Sequence, residues 1–244
     1  MILFHWLFLG IVQGLTEFLP VSSSGHLVFL QLVMGVEGPH LLLDVLLHLA
    51  TTLAVMAVMW RSFNRRLFLY MMISLVPTAV IGLALKAWVE SAFTSLRAVS
   101  LGWWVTVGIL WFLATRQKEG RGIETLTWKD AVLAGCFQGL AVFPGVSRSG
   151  MVLAVLLRRG FAPNVAFEFA FWMSVPAILA ASVLQLRGIS GSLDGFWTPA
   201  VLGMAGAFVS GVFALVWLRR LVTQGRLHWF APYCLGMGLL AWFL

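Results

Sequence analysis

Charged residues are scarce in this sequence. Asp, Glu, Lys and Arg together make up 10% of the 244 residues, whereas hydrophobic residues make up 61%. Soluble domains contain about 25% charged residues on average, so the composition excludes an ordinary soluble domain and predicts an integral membrane protein. Because one crossing takes about 20 residues, the length is better divided into membrane spans than into soluble domains.

Cysteine is nearly absent as well. The two cysteines, Cys136 and Cys234, lie in apolar segments without paired spacing, which argues against a disulfide framework or a cysteine metal site. The N-terminal segment MILFHWLFLG lacks the basic residues that open a secretory signal peptide. We therefore expect no cleaved signal peptide.

Long apolar runs are the main feature of the sequence. Six of them predict transmembrane helices, at about Leu41–Trp60, Leu67–Val89 with a kink at Pro77, Val99–Thr115, Asn164–Leu186, Thr198–Leu218 and His228–Leu244. Two further pairs of short apolar segments surround polar loops, namely Met1–Phe18 with Ser24–Met34 and Ala131–Phe143 with Gly150–Leu157. Such pairs predict re-entrant hairpins, which are tolerated where the tip is buried in protein or lines a cavity.

The two polar loops are related in sequence. Residues Gly10–Gly25 (GIVQGLTEFLPVSSSG) align without gaps on Gly135–Gly150 (GCFQGLAVFPGVSRSG), with nine identities in sixteen positions. Each half of the chain, 1–120 and 121–244, therefore contains one hairpin and three spans. Since three is odd, the second half enters the membrane from the opposite side, which predicts an inverted-topology repeat.

The net charge of +7 has two explanations. It could mark a nucleic-acid or other anionic partner, but we favour a topological role and expect no nucleic acid. Twelve Lys and Arg residues fall on one side of the predicted membrane and three on the other. The positive-inside rule assigns the richer side to the cytoplasm. Both termini then lie on the outer face, and the tips of the two hairpins can meet within the membrane.

Each loop carries a charge that the other lacks. Glu17 is found only in the first copy, and Arg148, which aligns with Ser23, only in the second. Gln13 lies one helical turn before Glu17 and shares its face. An ionisable residue inside a membrane indicates a functional site by default, although Glu17 paired with Arg148 in a purely structural role remains an alternative. The two loops therefore predict the two halves of one site.

The serines in these loops precede predicted helices. They can act simply as N-caps, or the free N–H groups behind them can cradle a phosphate. The planar guanidinium of Arg148 suits phosphate oxygens and favours the second interpretation. We assign phosphate binding to Gln13, Ser22, Ser24, Gly25, Gly145, Ser147, Ser149 and Gly150.

Two histidines, His26 and His48, are considered for functional roles. His26 could be a satisfied core histidine, but its place beside Glu17 and the serines in sequence favours a nucleophile or a general acid and base. Asp44 and His48 share a helix face, and Glu168 matches Asp44 in the second half. For these three residues we favour structural pairing.

The two loop motifs resemble the signatures of a known protein family. Gln13–His26 (QGLTEFLPVSSSGH) resembles the (E/Q)xxxE motif with its PVSSxGH extension, and PGVSRSG resembles the second signature, of the undecaprenyl-diphosphate phosphatase family of the bacitracin-resistance type. The resemblance implies hydrolysis of undecaprenyl diphosphate to undecaprenyl phosphate and phosphate in the bacterial inner membrane, at a site open to the outer face. It also implies a divalent cation, Mg²⁺ or Ca²⁺.

Carried over residue by residue, the resemblance makes Glu17, Ser23, His26 and Arg148 the catalytic residues and Glu17 the metal ligand. The sequence departs from the family pattern at Gln13, where many members have glutamate. Glu17 and the phosphates of the substrate are then the expected ligands. Ser23, His26 and water all remain candidates for the nucleophile.

The expected partners are a polyprenyl diphosphate and membrane lipids, and a homodimer is left open. An inverted-repeat transporter or lipid-phosphate flippase remains the alternative function, because inverted repeats with broken helices are also a transporter architecture.

Overall fold

The computed structural model of the chain describes residues 2–34, 40–113, 120–186 and 196–244. Within these ranges the chain is helical and contains no sheet, apart from one isolated bridge between Arg121 and Phe161. The helices are α1 (Ile2–Phe18), α2 (Ser23–Met34), α3 (His40–Met59), α4 (Arg65–Ala84), α5 (Lys86–Ala92), α6 (Leu96–Phe112), α7 (Trp128–Leu140), α8 (Arg148–Arg158), α9 (Pro163–Leu186), α10 (Trp197–Thr223) and α11 (Ala231–Phe243).

The predicted all-α membrane architecture is confirmed in outline. Among the described helices, α3, α4, α9 and α10 are long and apolar enough to cross a membrane, and α5 with α6 adds a fifth crossing if this bent pair is one span. Helices α3 and α9 begin and end within one residue of their predicted spans, while α10 continues to Thr223. Thr115 and Arg116, at the predicted end of the third span and the start of the polar connection, lie outside the described residues.

Two predicted spans differ from the structure. The expected helix Leu67–Val89 stops at Ala84, and Lys86–Ala92 forms a separate helix bent by 106° from α6. The reason is charge: Lys86 and Glu90 face each other at 3.6 Å on an exposed surface, and such groups are costly in hydrocarbon. The last predicted span, His228–Leu244, contains only the 13 residues of α11, which follow a 3-10 turn at Leu227–Phe230.

Glycines allow the two hairpins to pack closely against long helices. Helix α1 packs along α10, where a Cβ added at Gly10 would lie 2.0 Å from the Gly203 carbonyl oxygen. Helix α7 packs along α4, where a Cβ at Gly135 would lie 2.2 Å from the Ser74 carbonyl oxygen. Gly10 and Gly135 occupy the same position of the sequence repeat, so each hairpin docks through the same residue onto a helix from the other half of the chain.

A buried carboxylate joins the two ends of the second hairpin. Asp130 forms a capping box with Thr127 at the start of α7. It also accepts hydrogen bonds from Arg121 at 3.0 Å and from Arg159, just after α8, at 2.8 Å. Burial alone would raise the pKa of Asp130, but the hydrogen bonds from Arg121, Thr127 and Arg159 outweigh burial and lower the pKa from 3.8 to about 2.

This cluster predicts a pH-dependent contribution to stability. Because the pKa of Asp130 is lower in the folded protein, its stabilisation is complete above pH 4 and is lost as the pH falls from about 4 to 2. Asp130→Asn should therefore lower the free energy of unfolding by about 2 kcal/mol at pH 7. The measurement is unfolding of the purified protein in detergent, with the exposed Glu124→Gln as control. Equal stability of the two variants at pH 7 would contradict the prediction.

Candidate active site at the meeting of the two loops

Two short loops turn the hairpins. The first runs from Leu19 to Ser22 between α1 and α2, and the second from Ala141 to Ser147 between α7 and α8. Each reverses through one residue with positive φ, Ser22 (φ 67°) in the first loop and Gly145 (φ 90°) in the second. Glycine is required at position 145 for two reasons. Its positive φ is unfavourable for other residues, and a Cβ there would lie 2.1 Å from the Val99 carbonyl oxygen.

Serine side chains cap both returning helices, as the sequence predicts. The Ser147 Oγ accepts a hydrogen bond from the Gly150 N–H at 3.2 Å. The Ser22 Oγ accepts one from the Gly25 N–H at 3.3 Å and a second from the Gly145 N–H at 3.0 Å. Ser22 therefore caps α2 and also fastens the first loop to the second.

Helix α6 holds both loops in place. The Trp103 indole N–H donates to the Val21 carbonyl in the first loop at 2.8 Å. The Thr106 hydroxyl donates to the Gly145 carbonyl at 2.8 Å and accepts from the Ser147 N–H at 2.9 Å. Trp103 and Thr106 are fully buried, and neither was predicted as a site residue.

Glu17 lies at the centre of the site. Its Oε2 accepts hydrogen bonds from the Ser23 hydroxyl at 2.6 Å and from the Gln13 amide at 2.9 Å. Its Oε1 forms an ion pair with the Arg148 guanidinium. Glu17 is only 7% exposed. The predicted meeting of an acidic loop with a basic loop is therefore present, and Ser23 and Arg148, which align in the repeat, both contact the same carboxylate.

The space beside the ion pair is small. A cavity of about 10 Å³ is lined by Glu17, Arg148, Ser149, Phe171 and Ser174, which is about enough for one water molecule. The Arg148 side chain remains 25% exposed. The cavity is therefore too small for a phosphate group while Arg148 contacts Glu17.

His26 faces away from this centre. Its Nδ1 lies 2.6 Å from the Ser22 carbonyl oxygen, and its Nε2 lies 2.6 Å from the Tyr233 hydroxyl, with the two rings stacked. A carbonyl can only accept, so Nδ1 carries the proton and Nε2 accepts from Tyr233. Both nitrogens are thus engaged by groups other than Glu17 or Ser23. The catalytic role of His26 stays a prediction, and it requires Tyr233 to move.

The imidazole that contacts Glu17 is instead His48, on α3. Its Nε2 lies 3.5 Å from the Glu17 Oε2, and its Nδ1 lies 2.7 Å from the Asp44 carbonyl oxygen. The Asp44 carboxylate accepts a hydrogen bond from Gln31 at 2.8 Å. The position of His48 one turn after Asp44 does not reveal its contact with Glu17, which arises from the packing of α3 against α1.

The remaining predicted phosphate-binding residues lie in the first turns of α2 and α8. The Ser24 and Ser149 hydroxyls lie 3.4 Å and 3.2 Å from the capping hydroxyls of Ser22 and Ser147. The other predicted partners, Gly25 and Gly150, pack against the opposite loop. Glu168 pairs with Arg219 at 3.3 Å, in agreement with the structural role predicted for it.

Together, the helices and the paired loops define a multi-pass membrane protein with a buried, charged site inside it. The chain matches the family described as bacitracin resistance protein BacA over residues 6–240. It is 40% identical to an undecaprenyl-diphosphatase of Carboxydothermus hydrogenoformans, over 97% of this chain and 95% of the relative. It is 39% identical to an undecaprenyl-diphosphatase of Syntrophotalea carbinolica, over 96% and 95%.

The chain therefore belongs to the BacA family, and the resemblance that its motifs carry is confirmed.

Proposed function

We propose that this protein hydrolyses undecaprenyl diphosphate to undecaprenyl phosphate and inorganic phosphate, and so recycles the lipid carrier of cell-wall synthesis. The proposal follows the name of the relatives, and one observation carries it in this chain. The Ser23 hydroxyl donates to Glu17 at 2.6 Å, and Arg148 contacts the same carboxylate. A nucleophile, a base and an anion-binding group are thus adjacent. The transporter alternative has no comparable support from the relatives.

The two loops provide a binding site for the diphosphate. Helices α2 and α8 begin at Ser23 and Arg148, so the positive ends of both helix dipoles point toward the site. The Arg148 guanidinium can bind two phosphate oxygens at once. When a phosphate replaces Glu17 as the partner of Arg148, the carboxylate becomes free to act as a base.

Ser23 is the nucleophile that the geometry favours over His26 and water. Glu17 accepts the proton of the Ser23 hydroxyl, and the oxygen attacks the terminal phosphorus. The bond to the bridging oxygen breaks, and its electron pair leaves with undecaprenyl phosphate. Glu17 passes this proton to the departing undecaprenyl phosphate and is again a carboxylate. Water then attacks the phosphoserine as Glu17 takes up its proton. The bond between phosphorus and the Ser23 oxygen breaks, and Glu17 returns the proton to that oxygen, which restores the serine and releases inorganic phosphate.

The first test is phosphate release by the purified protein in detergent, where transport between compartments cannot occur. Ser23→Ala should lower kcat by at least about a hundredfold, because the nucleophile is lost. Ser91→Ala, which removes an exposed hydroxyl outside the site, should retain normal turnover. Release of phosphate by Ser23→Ala at the wild-type rate would exclude the serine mechanism. Absence of release by the wild-type protein would contradict the proposed function itself.

A divalent cation fits the residues beside Glu17. The Gln13 Oε1 is buried and has no hydrogen-bond partner, although its amide nitrogen bonds to Glu17. Mg²⁺ and Ca²⁺ prefer oxygen ligands of this kind. Among the described residues, no group of three or more His, Cys, Asp and Glu side chains lies together. Gln13 and Glu17 would therefore hold the ion together with the phosphates, and the ion would neutralise charge on the phosphate oxygens.

Removal of divalent cations should then abolish phosphate release, and Mg²⁺ or Ca²⁺ should restore it. Gln13→Leu should raise the cation concentration needed for half-maximal activity, since it removes one oxygen ligand. Cys136→Ser, which changes a residue of α7 beside Gly135, is the control. It should leave that cation concentration unchanged. Full activity in excess chelator would remove the cation from the proposal.

His48 positions Glu17 in this proposal. The His48 Nδ1 lies 2.7 Å from the Asp44 carbonyl oxygen, and its Nε2 lies 3.5 Å from the Glu17 Oε2. His48→Leu should lower kcat by about tenfold with little change in KM, because Glu17 loses one of the groups that orient it. His48→Gln keeps a donor near Glu17 and should recover most of this loss, and His5→Leu is the control. Equal loss in His48→Gln and His48→Leu would reject a positioning role.

We further propose six transmembrane helices and two re-entrant hairpins, arranged as an inverted repeat of residues 1–120 and 121–244 in the inner membrane. The exchanged packing of α1 on α10 and of α7 on α4 supports the repeat. The arginine-rich side is assigned to the cytoplasm, so that both termini and the site open toward the outer face.

Cysteine labelling in intact cells tests this orientation. A cysteine at exposed Thr94, between α5 and α6, should react with a membrane-impermeant reagent. One at exposed Glu124, before α7, should react only after the cells are opened. The parent protein with its native cysteines is the control. Labelling of position 124 from outside would reverse the proposed topology.

A further inference from the structure

A groove runs along α8 on the side between α6 and α7. Its volume is about 330 Å³, within the range of about 300–1,000 Å³ that is typical of ligand pockets. Apolar side chains from all three helices line most of it, including Phe112, Leu133, Phe137, Met151 and Ala154. The lining does not include Glu17, Ser23 or Arg148, so this α8 groove is separate from the candidate active site.

Cations are concentrated at one end of the α8 groove. Arg158 and Arg159 line it where α8 ends. Among the described residues at this end, Asp130 pairs with both Arg121 and Arg159. Arg158 donates to the Phe112 carbonyl and lies over the Phe112 ring, which holds its guanidinium at the mouth. The guanidiniums of Arg158 and Arg159 therefore lie together at the end of an apolar channel.

The arginine pair is specific to the second hairpin. By the alignment that matches Gly25 with Gly150, the positions of Arg158 and Arg159 correspond to Val33 and Met34 in the first. The positive-inside rule accounts for basic residues on this side of the membrane in general. It does not account for their placement at the end of a cavity lined by apolar side chains, which is the arrangement that binds anionic lipid head groups between helices.

We propose that the α8 groove binds an anionic phospholipid from the leaflet on the arginine-rich side. One acyl chain lies along Phe137, Met151 and Ala154, and the phosphate lies at Arg158 and Arg159. This inference is independent of the proposed hydrolysis, and it uses the proposed topology only to name the leaflet as cytoplasmic.

The test compares lipids on the purified full-length protein. Phosphatidylglycerol should raise Tm by about 3 °C more than phosphatidylcholine with the same acyl chains. Arg158→Gln should lose this difference because it weakens the phosphate site. Ala154→Leu should also lose it because it fills the groove without changing charge. Arg220→Gln, which removes an equivalent charge at the end of α10, should retain it.

Three results would overturn the proposal. Equal shifts with both lipids would remove head-group recognition. Equal losses in Arg158→Gln and Arg220→Gln would reduce the effect to surface charge, and an unchanged shift in Ala154→Leu would exclude the groove.

A second measurement needs no variant. Phosphatidylglycerol with a photoreactive acyl chain should crosslink to the wild-type protein at Phe137 or Met151, and an excess of phosphatidylglycerol should reduce the crosslink severalfold. Displacement by undecaprenyl phosphate but not by phosphatidylglycerol would assign the groove to a different occupant.

Discussion

The ion pair between Glu17 and Arg148 is the interaction on which the rest of the structure depends. A lone carboxylate or guanidinium at membrane depth is costly, by about 2.5 kcal/mol or more, so neither loop can bury its charge without the other. The pair explains why two hairpins that are far apart in sequence meet at their tips. It also explains the supporting contacts, since Trp103 and Thr106 on α6 fix both loops at the distance that the pair requires.

The same constraint gives the site its chemistry. Two copies of one loop would carry like groups, but here the copies have diverged, and the serine of one occupies the position of the arginine of the other. Glu17 thereby contacts both a hydroxyl and a guanidinium. A buried pair is weak evidence for stability on its own, because desolvation offsets much of the attraction. In the proposed mechanism, the pair matters because a substrate phosphate replaces the carboxylate at Arg148 and frees Glu17 to accept a proton.

Much of this arrangement is predictable from the sequence because it depends on residue type and repetition. Scarce charge indicates the membrane, and the two related loops with opposite charges indicate one shared site. The predicted span Leu67–Val89 was wrong at its end, because it continued through Lys86, whose charge interrupts the apolar run. The partners of His26 and His48 were not predictable, because Tyr233 and Glu17 reach them through packing between helices distant in sequence. Helical spacing shows which residues share a face, but not which helix that face contacts.

A double-mutant cycle on thermal unfolding in detergent, using Glu17→Gln, Arg148→Ala and the double variant, tests the central claim most directly. If the two charges compensate each other, each single variant loses stability by about 3 kcal/mol, because it leaves one buried charge alone. The double variant should then be more stable than the sum of the two losses, by at least about 1 kcal/mol. Losses that simply add would show that Glu17 and Arg148 do not stabilise each other, and would contradict the account.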